Sequence, residues 1–429
     1  MHTLAVTGGR VLRPDGRVTT DDVLVDVDAG TIEVIGPDLD GDETLDASGG
    51  LVMPGLVNAH THVSMTLLRG YADDKPLDTW LREDIWPVEA ELTDEDIEVG
   101  AELGILEMIR SGTTAFADMY FSMDRVADVV ERAGVRARLG RGIITVGKDP
   151  DAARADLETG VEFATTYDGA ADGRIRTALM PHSLTTVDEP ILEEAVDLAA
   201  AHDLPIHLHA NETETEVEPI VSERGSRPLE YADECGMLAP STFIAHGVHL
   251  DDSEISRLAE RDTSVVHCPA SNMKLASGIA PVERLREAGV TVGIGTDGAA
   301  SNNDLDVFDE MRDAAMVGKL GADDATAVPA AAAVEMATRG GSSAVGLPGG
   351  RIEAGAAADL IVVDMEAPHL TPAHDVVSHL AYAVRGSDVR HSVCDGAVLM
   401  RDRTVTTLDA DAVMDRATEI AADLVARAE

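Results

Sequence analysis

The sequence predicts an α/β protein, namely a TIM-like (β/α)8 barrel with a small composite β domain formed from both chain termini. In the middle of the 429-residue chain, eight apolar runs of strand length alternate with helical stretches. Both ends contain short strand-like runs separated by glycine-rich turns. Alternating β and α segments favour a parallel sheet, and eight repeats favour a closed barrel.

The apolar runs of the middle region define the predicted barrel strands. They are Leu51–Ala59, Thr113–Ala117, Val135–Gly140, Ile175–Pro181, Pro205–Leu208, Thr242–Ala245, Thr263–Val266 and Val290–Gly295. Segments with helical periodicity separate them, for example Thr93–Arg110 and Asp188–Ala201. We therefore assign residues 53–349 to the barrel.

The two ends of the chain share a different pattern, so we expect residues 1–52 and 350–429 to form one composite β domain. Turn sequences such as Pro-Asp-Gly and Asp-Ala-Gly separate short apolar runs in the first segment. The predicted strands are Leu4–Thr7, Arg10–Leu12, Val23–Val27, Thr31–Ile35, Asp359–Asp364, Val389–Cys394 and Gly396–Met400.

The charge balance is strongly acidic, with 79 acidic against 33 basic residues and a formal net charge of −46. One interpretation is a surface that stays hydrated in strong salt, where the Debye length falls to about 3 Å at molar ionic strength. The other is binding of a basic partner. Because the acidic residues are spread along the whole chain, we favour the first and predict a halophilic source. The same charge excludes nucleic-acid binding.

The sequence also limits the compartment and the type of metal site. It has neither a secretory start nor a long uncharged apolar run, so we expect a soluble cytoplasmic protein without a membrane segment. The cysteines, Cys235, Cys268 and Cys394, are far apart and form no CxxC pair. They predict buried thiols rather than disulfides or a thiolate zinc site.

A residue that can bind metal, move protons or pair with charge follows each predicted strand. In chain order these residues are His60 with His62, Asp118, Arg141, His182, His209, His246, His267 and Asp297. The carboxyl ends of barrel strands meet on one face, where active sites lie. We therefore expect these side chains to assemble one site.

A metal site is the first chemistry that these residues predict. His60 and His62 are one residue apart at a strand end, so their side chains point to the same side. His209 adds a third imidazole and Asp297 a carboxylate, a donor set suited to one Zn²⁺ per subunit or to another divalent ion. No lysine lies at the strand ends before His209, which disfavours a two-metal site bridged by a carboxylated lysine.

Proton handling is the second predicted chemistry. Glu212, three residues after His209, suits a proton carrier, although Glu214 and its neighbours leave a solvated loop carboxylate as the alternative. Asp297 can bind the metal and accept the proton of the attacking water, or it can cap a helix. His246 is interpreted as a non-ligand that holds the hydroxide or polarises the bond under attack, with a core histidine as the alternative.

Several motifs resemble the amidohydrolase superfamily over essentially the whole chain: PGLVNAHTH, HANET, HGVHL, HCPASNMKLASG and GIGTDGAASNN. The stretch MTLLRGYADDKPLDTWLREDIWPVEAELT is similar to the methylthioadenosine and S-adenosylhomocysteine deaminases. The resemblance implies metal ligation by His60, His62, His209 and Asp297, with Glu212 and His246 as the proton-handling pair. It further implies substrate binding by Glu89, which would hold the ribose hydroxyls, and by Arg141, Arg154, His182, Glu212 and Asp297.

These observations predict hydrolytic deamination of an adenine nucleoside, releasing the inosine analogue and ammonia. Methylthioadenosine, S-adenosylhomocysteine, 5′-deoxyadenosine and adenosine are the candidate substrates. A deaminase or chlorohydrolase of another heterocycle, such as guanine or a triazine, is the alternative within the same fold. A non-catalytic scaffold should have lost metal ligands, and none is missing here. The expected partner is the small-molecule substrate, and a homo-oligomer is left open.

Overall fold

The computed structural model describes residues 2–428, in which β-strands occur at both ends and alternate with helices between them. The strands are β1 Thr3–Thr7, β2 Arg10–Leu12, β3 Val18–Thr19, β4 Asp22–Asp26, β5 Thr31–Gly36, β6 Glu43–Asp46, β7 Gly50–Pro54, β8 Leu56–Thr61, β9 Thr113–Tyr120, β10 Arg136–Ile143, β11 Ile175–Thr177, β12 Met180–Pro181, β13 His207–Ala210, β14 Phe243–His246, β15 Ser264–His267, β16 Val292–Ile294, β17 Leu360–Asp364, β18 Val389–Cys394, β19 Ala397–Arg401 and β20 Thr404–Val405.

The helices lie mainly between the strands of the middle region. The α-helices are α1 Leu77–Trp80, α2 Trp86–Glu89, α3 Asp94–Ser111, α4 Met123–Ala133, α5 Pro150–Tyr167, α6 Glu189–His202, α7 Glu214–Arg224, α8 Pro228–Glu234, α9 Asp252–Arg261, α10 Pro269–Lys274, α11 Val282–Glu287, α12 Ala299–Asn302, α13 Val307–Ala322, α14 Ala330–Glu335, α15 Gly341–Val345, α16 Val376–Tyr382 and α17 Ala410–Ala428. Short 3-10 turns cover Val63–Leu68, Ala171–Gly173, Pro368–Leu370 and Gly386–Asp388, and π turns cover Leu81–Ile85 and Met336–Gly340.

The strands of the middle region run parallel in two groups, as expected for an α/β fold. Strands β8, β9 and β10 pair in chain order with β11 and β12 beside β10, and β13 to β16 pair in chain order. A parallel bridge between Ser183 and His209 joins the two groups at one side. At the other side, the backbone N–H of Asp297 donates to the carbonyl of His60 at 3.0 Å. Consecutive parallel strands therefore bring their carboxyl ends to one face.

Each of the eight predicted runs overlaps an observed strand, but the first and the fourth are divided, the fourth (Ile175–Pro181) into β11 and β12. The sequence predicted one strand over Leu51–Ala59, whereas the structure forms β7 and β8 with a break at Gly55. A Cβ at Gly55 would lie 2.1 Å from Thr114 Oγ1, so the backbone passes too close for any side chain. Strand β7, before the break, pairs with β17, whereas β8, after the break, pairs with β9.

Strands from both ends of the chain share one sheet. Its order is β20-β19-β18-β17-β7-β2-β3, and a second sheet has the order β5-β4-β1-β6. Leu45, Val52 and Leu360 belong to a buried apolar cluster formed by these two sheets. A buried hydrogen bond joins β10 to the start of β17, because the Arg136 guanidinium donates to the carboxylate of Asp359, just before β17, at 2.8 Å.

A long helix closes the chain where the sequence predicted only strands. Helix α17 lies against α3 and buries Val413, Ala417 and Leu424. Arg427 donates to both carboxylate oxygens of Asp96, each at 2.8 Å. The spacing of the buried positions is that of one helical face, so this element could have been predicted from the pattern. Within residues 2–428, no helix is both long and apolar enough to cross a bilayer.

Candidate active site

Three histidines and one aspartate converge where the parallel strands end. His60 lies in β8 with His62 just beyond it, His209 lies in β13, and Asp297 follows β16. One possible ligand atom from each lies within 4.8 Å of the others. The Nε2 atoms of His60 and His62 are 3.4 and 3.2 Å from Asp297 Oδ1, and His209 Nε2 is 3.4 Å from His62 Nε2. The structure thus brings together all four predicted ligands.

The hydrogen bonds of two of these histidines define which ring nitrogen faces the group. His62 Nδ1 donates to the carbonyl of Met119 at 2.6 Å, and His209 Nδ1 donates to the carbonyl of His182 at 2.8 Å. Because a carbonyl only accepts, each Nε2 of a neutral ring presents a lone pair. The buried Nε2 of His60 has no hydrogen-bond partner among the described residues. Such convergent lone pairs fit a divalent cation.

Asp297 is held as an ionised carboxylate. Its Oδ2 accepts hydrogen bonds from Ser271 Oγ and Ser301 Oγ, both at 2.7 Å, which leaves Oδ1 facing the histidines. Burial raises the carboxyl pKa, but the adjacent His60 and His62 rings outweigh burial and hold the pKa well below its usual range. Burial lowers the pKa of His62 in turn, and Asp297 reverses this and raises it to about 9. Burial lowers the pKa of His60 to about 4.

Glu212 and His246 form a second pair beside the first group. Glu212 Oε2 lies 3.7 Å from His246 Nε2, and the other ring nitrogen of His246 is 2.9 Å from Asn272 Oδ1. Burial raises the pKa of Glu212. Burial lowers the pKa of His246, but the charges of Glu212 and Asp297, with the hydrogen bond to Asn272, outweigh burial and raise the pKa. His246 and Asp297 both have positive φ, 72° and 59°, a strained backbone that occurs preferentially at functional sites.

A cavity of about 420 Å³ opens above these residues. Its floor includes His62, Glu212, His246 and Asp297, and its walls include Met65, Trp80 and Trp86. From the sequence alone, each of these three residues taken singly is more typical of apolar core, with the wall of an adenine pocket as the alternative. The volume and the mixture of an apolar wall with convergent polar groups are typical of a small-molecule site.

Two further predicted substrate-binding residues line the same cavity. Glu89, at the end of α2, accepts a hydrogen bond from the Tyr120 hydroxyl at 2.7 Å, and burial raises its pKa. His182 lies beside His209 with ring centroids 4.6 Å apart, and its Nδ1 is 2.9 Å from Thr186 Oγ1. Glu89 and His182 are therefore placed to contact the occupant of the cavity.

The two predicted arginines do not line the cavity. Arg141 and Lys148 both bond to Asp156, at 2.8 and 3.0 Å, and Gly142 turns toward the cavity instead, because neighbouring strand residues face opposite sides. Arg154 lies on the outer face of α5, with a 59% exposed side chain paired with Glu194. The prediction of Arg154 as a substrate-binding residue is therefore not supported by its position.

The Amidohydrolase family model matches residues 51–399, most of the chain. This chain belongs to the amidohydrolase family. A "5-methylthioadenosine/S-adenosylhomocysteine deaminase" of Haloarcula marismortui is 67% identical to this amidohydrolase, with 100% of each chain covered. A "5'-deoxyadenosine deaminase" of Methanothermobacter thermautotrophicus is 46% identical, with 99% of each chain covered.

Solved structures resemble the amidohydrolase over nearly its whole length. An adenosine deaminase from Xanthomonas campestris with bound zinc has a TM-score of 0.93 and 38% identity, covering 99% of this chain and 98% of that one. An atrazine chlorohydrolase from Arthrobacter aurescens has a TM-score of 0.89 but 23% identity, covering 97% and 100%. The second likeness supports the fold alone.

The sequence analysis assigned no role to several polar residues of the amidohydrolase site. Ser271 and Asn272 lie within the HCPASN motif. The motif indicates that these residues belong to the site, but it does not show that they contact Asp297 and His246. Ser301 holds Asp297 from α12. Glu216 lies one helical turn beyond Glu212 and accepts its backbone N–H at 2.8 Å, and burial raises the Glu216 pKa to about 7. Only the three-dimensional neighbours identify this group of supporting residues.

Proposed function

We propose that this amidohydrolase is a hydrolytic deaminase of adenine nucleosides, of the 5′-methylthioadenosine and S-adenosylhomocysteine type. The observation that carries the proposal is the convergence of His60, His62, His209 and Asp297 beside Glu212 at the floor of one cavity. The 67% identity to an enzyme named for this activity supports the same substrate class.

We assign one Zn²⁺ per chain to His60, His62, His209 and Asp297. The donor set of three imidazoles and one carboxylate supports zinc, as does the zinc in a structural relative. When bound, such an ion lowers the pKa of water to about 7, which makes hydroxide available at neutral pH. Another divalent ion is the alternative.

The protein groups divide the proton transfers of the reaction. Asp297, held ionised, accepts a proton from the attacking water as it adds to C6 of the purine. Glu212, whose pKa burial raises, donates a proton to N1 and recovers one from the hydroxyl of the tetrahedral intermediate as the amine departs, while the proton held by Asp297 passes to that amine. His246, with Nε2 3.7 Å from Glu212 Oε2, stabilises the oxygen of the tetrahedral intermediate. Water and the nucleoside thus yield the inosine analogue and ammonia.

The cavity walls support a ribosylated substrate. A carboxylate accepts from two hydroxyls at once, so Glu89 suits the ribose 2′ and 3′ hydroxyls. His182 adds a second polar contact, and Trp80 and Trp86 supply apolar surface for the base. Arg141 is paired with Asp156 and Arg154 with Glu194, both outside the cavity lining, so neither arginine is assigned to the substrate.

We further propose that residues 53–349 form a closed eight-stranded barrel and that residues 1–52 and 350–429 form the composite domain. The contact of Asp297 N–H with the His60 carbonyl supports closure, and the sheet shared by β7 and β17 supports the composite domain. The acidic composition and the Haloarcula marismortui relative support a protein adapted to high salt. A cytoplasmic location and a homo-oligomer stay predictions.

An ammonia-release assay in high salt with zinc tests the proposal. The panel contains 5′-methylthioadenosine, S-adenosylhomocysteine, 5′-deoxyadenosine and adenosine, with guanine and atrazine as the alternatives within the fold. We expect stoichiometric ammonia from at least one of the four nucleosides and no turnover of guanine or atrazine. Ammonia from guanine alone, chloride from atrazine, or no product from any compound would contradict the proposal.

A further inference from the structure

His207 is a buried histidine without an assigned role. It lies in β13 two residues before His209, so both side chains point to the same side of the strand. Its ring stacks on Phe243, with centroids 4.1 Å apart and an interplanar angle of 12°. No carboxylate forms an ion pair with His207 within residues 2–428, so its buried ring is neutral.

Two hydrogen bonds join His207 to the first metal ligand. His207 Nδ1 is 2.8 Å from the carbonyl of Phe243, and His207 Nε2 is 2.9 Å from His60 Nδ1. The carbonyl can only accept, so the single ring hydrogen of neutral His207 resides on Nδ1. The Nε2 lone pair then accepts from His60 Nδ1, which must carry its own hydrogen there.

This arrangement decides the tautomer of His60. With the hydrogen on Nδ1, the Nε2 lone pair of His60 faces the other donor atoms. The competing tautomer would point an Nε2–H at Asp297 Oδ1, 3.4 Å away, and would block the cation. His62 and His209 are fixed by backbone carbonyls, whereas His60 depends on a side chain that substitution can remove.

We propose that His207 is a positioning residue that fixes His60 in the metal-binding tautomer. The inference rests on the metal site of the proposed function. Without His207 Nε2 as acceptor, the Nδ1–H of His60 is buried and unpaired in the metal-binding tautomer. His60 then favours the other tautomer, in which its Nε2–H points at Asp297. The expected consequence is weaker metal binding in a folded protein.

The test compares zinc affinity of the full chain and its variants by competition with a chromophoric chelator, without substrate. We expect His207→Leu to weaken zinc binding about 10- to 100-fold, the usual effect of losing an outer partner of a ligating histidine. His207→Gln should recover part of the loss, because its amide oxygen can accept from His60. The control is His267→Leu: although His267 follows a predicted strand, it lies outside the cavity lining and the four-residue group, and it is equally buried with no hydrogen-bond partner among the described residues.

Thermal unfolding of the metal-free variants separates positioning from general damage. The proposal expects His207→Leu and His207→Gln to unfold at similar temperatures while differing in zinc affinity. Wild-type zinc affinity in His207→Leu, or an equal loss in His267→Leu or His207→Gln, would overturn it. A wild-type chain that binds no zinc would overturn the metal site as well, whereas zinc binding without ammonia release would overturn only the proposed function.

Discussion

Two carboxyl groups of the cavity have opposite electrostatic environments. The Glu212 carboxyl group is buried and accepts only a long hydrogen bond from Ser277 Oγ, at 3.4 Å, among the described residues. Burial therefore raises its pKa. Asp297 is buried too, but the adjacent His60 and His62 rings hold its pKa low. Paired titratable groups whose pKa values are pushed apart divide into acid and base. The environments therefore support Glu212 as the proton donor and Asp297 as the acceptor.

Glu212→Gln should keep the metal and lose most turnover. Glutamine retains the shape of the side chain but cannot donate a carboxylic proton, and proton transfer of this kind contributes about 10²- to 10⁴-fold to rate. Zinc content and ammonia release are measured on the same preparation. Glu214→Gln, at an exposed neighbouring position, is the matched control and should have wild-type activity. Full activity in Glu212→Gln would exclude it as the proton carrier.

Zinc binding should release one proton from His62 at about pH 6, where a zinc-bound water stays protonated because its pKa is about 7. Asp297 raises the pKa of His62 to about 9, so this ring is protonated in the metal-free protein below that pH. Burial lowers the pKa of His60 to about 4 and that of His209 well below its usual range, so neither contributes. Affinity should therefore rise with pH up to about 9. Calorimetry in buffers of different ionisation enthalpy counts the proton, and a count of zero would contradict this charge state.

At the scale of elements, the strand ends were predictable and the long-range pairings were not. His60, His209, His246 and Asp297 follow apolar runs, and consecutive parallel strands bring such positions to one face. The division of Leu51–Ala59 was missed, because β7 pairs with β17, far away in sequence. The outward position of Arg154 depends on how α5 is rotated against its neighbours, which local sequence does not specify.

The buried ion pair between β10 and Asp359, the residue just before β17, gives a prediction about this packing. Arg136 and Asp359 have side chains only 6% and 1% exposed. Arg136→Met should lower the free energy of unfolding by about 3–5 kcal/mol, because it leaves a buried carboxylate without its partner. Urea unfolding in high salt measures the change. Arg176→Met is the control. The Arg176 side chain is 48% exposed, so its ion pair with Asp168 should contribute about 1 kcal/mol or less to the free energy of unfolding. Equal decreases in the free energy of unfolding in Arg136→Met and Arg176→Met would contradict the larger contribution expected of the buried pair.

At the scale of the whole molecule, the net charge of −46 is the dominant feature. Like charges over a compact surface repel one another, and dissolved salt screens that repulsion. The composition alone gives this charge, because counting acidic and basic residues requires no knowledge of contacts. The chain's arginines form ion pairs at many surface positions, for example Arg132 with Glu102 and Arg261 with Asp233, yet the acidic excess is far larger than they can neutralise.

The melting temperature should therefore rise with salt. Between about 0.1 M and about 1 M KCl the Debye length falls from about 10 Å to about 3 Å, so most surface repulsion is removed. Thermal unfolding followed by circular dichroism at several KCl concentrations measures the effect. A midpoint that stays constant or falls over this range would contradict adaptation to salt.

The central claim is that one metal ion in the four-residue group drives hydrolysis of an adenine nucleoside. The most direct measurement titrates zinc into the metal-free protein in high salt and follows ammonia release from 5′-methylthioadenosine. We predict a linear rise that reaches its plateau at one zinc per chain. A plateau at two zinc ions, or ammonia release that does not depend on added zinc, would contradict the claim.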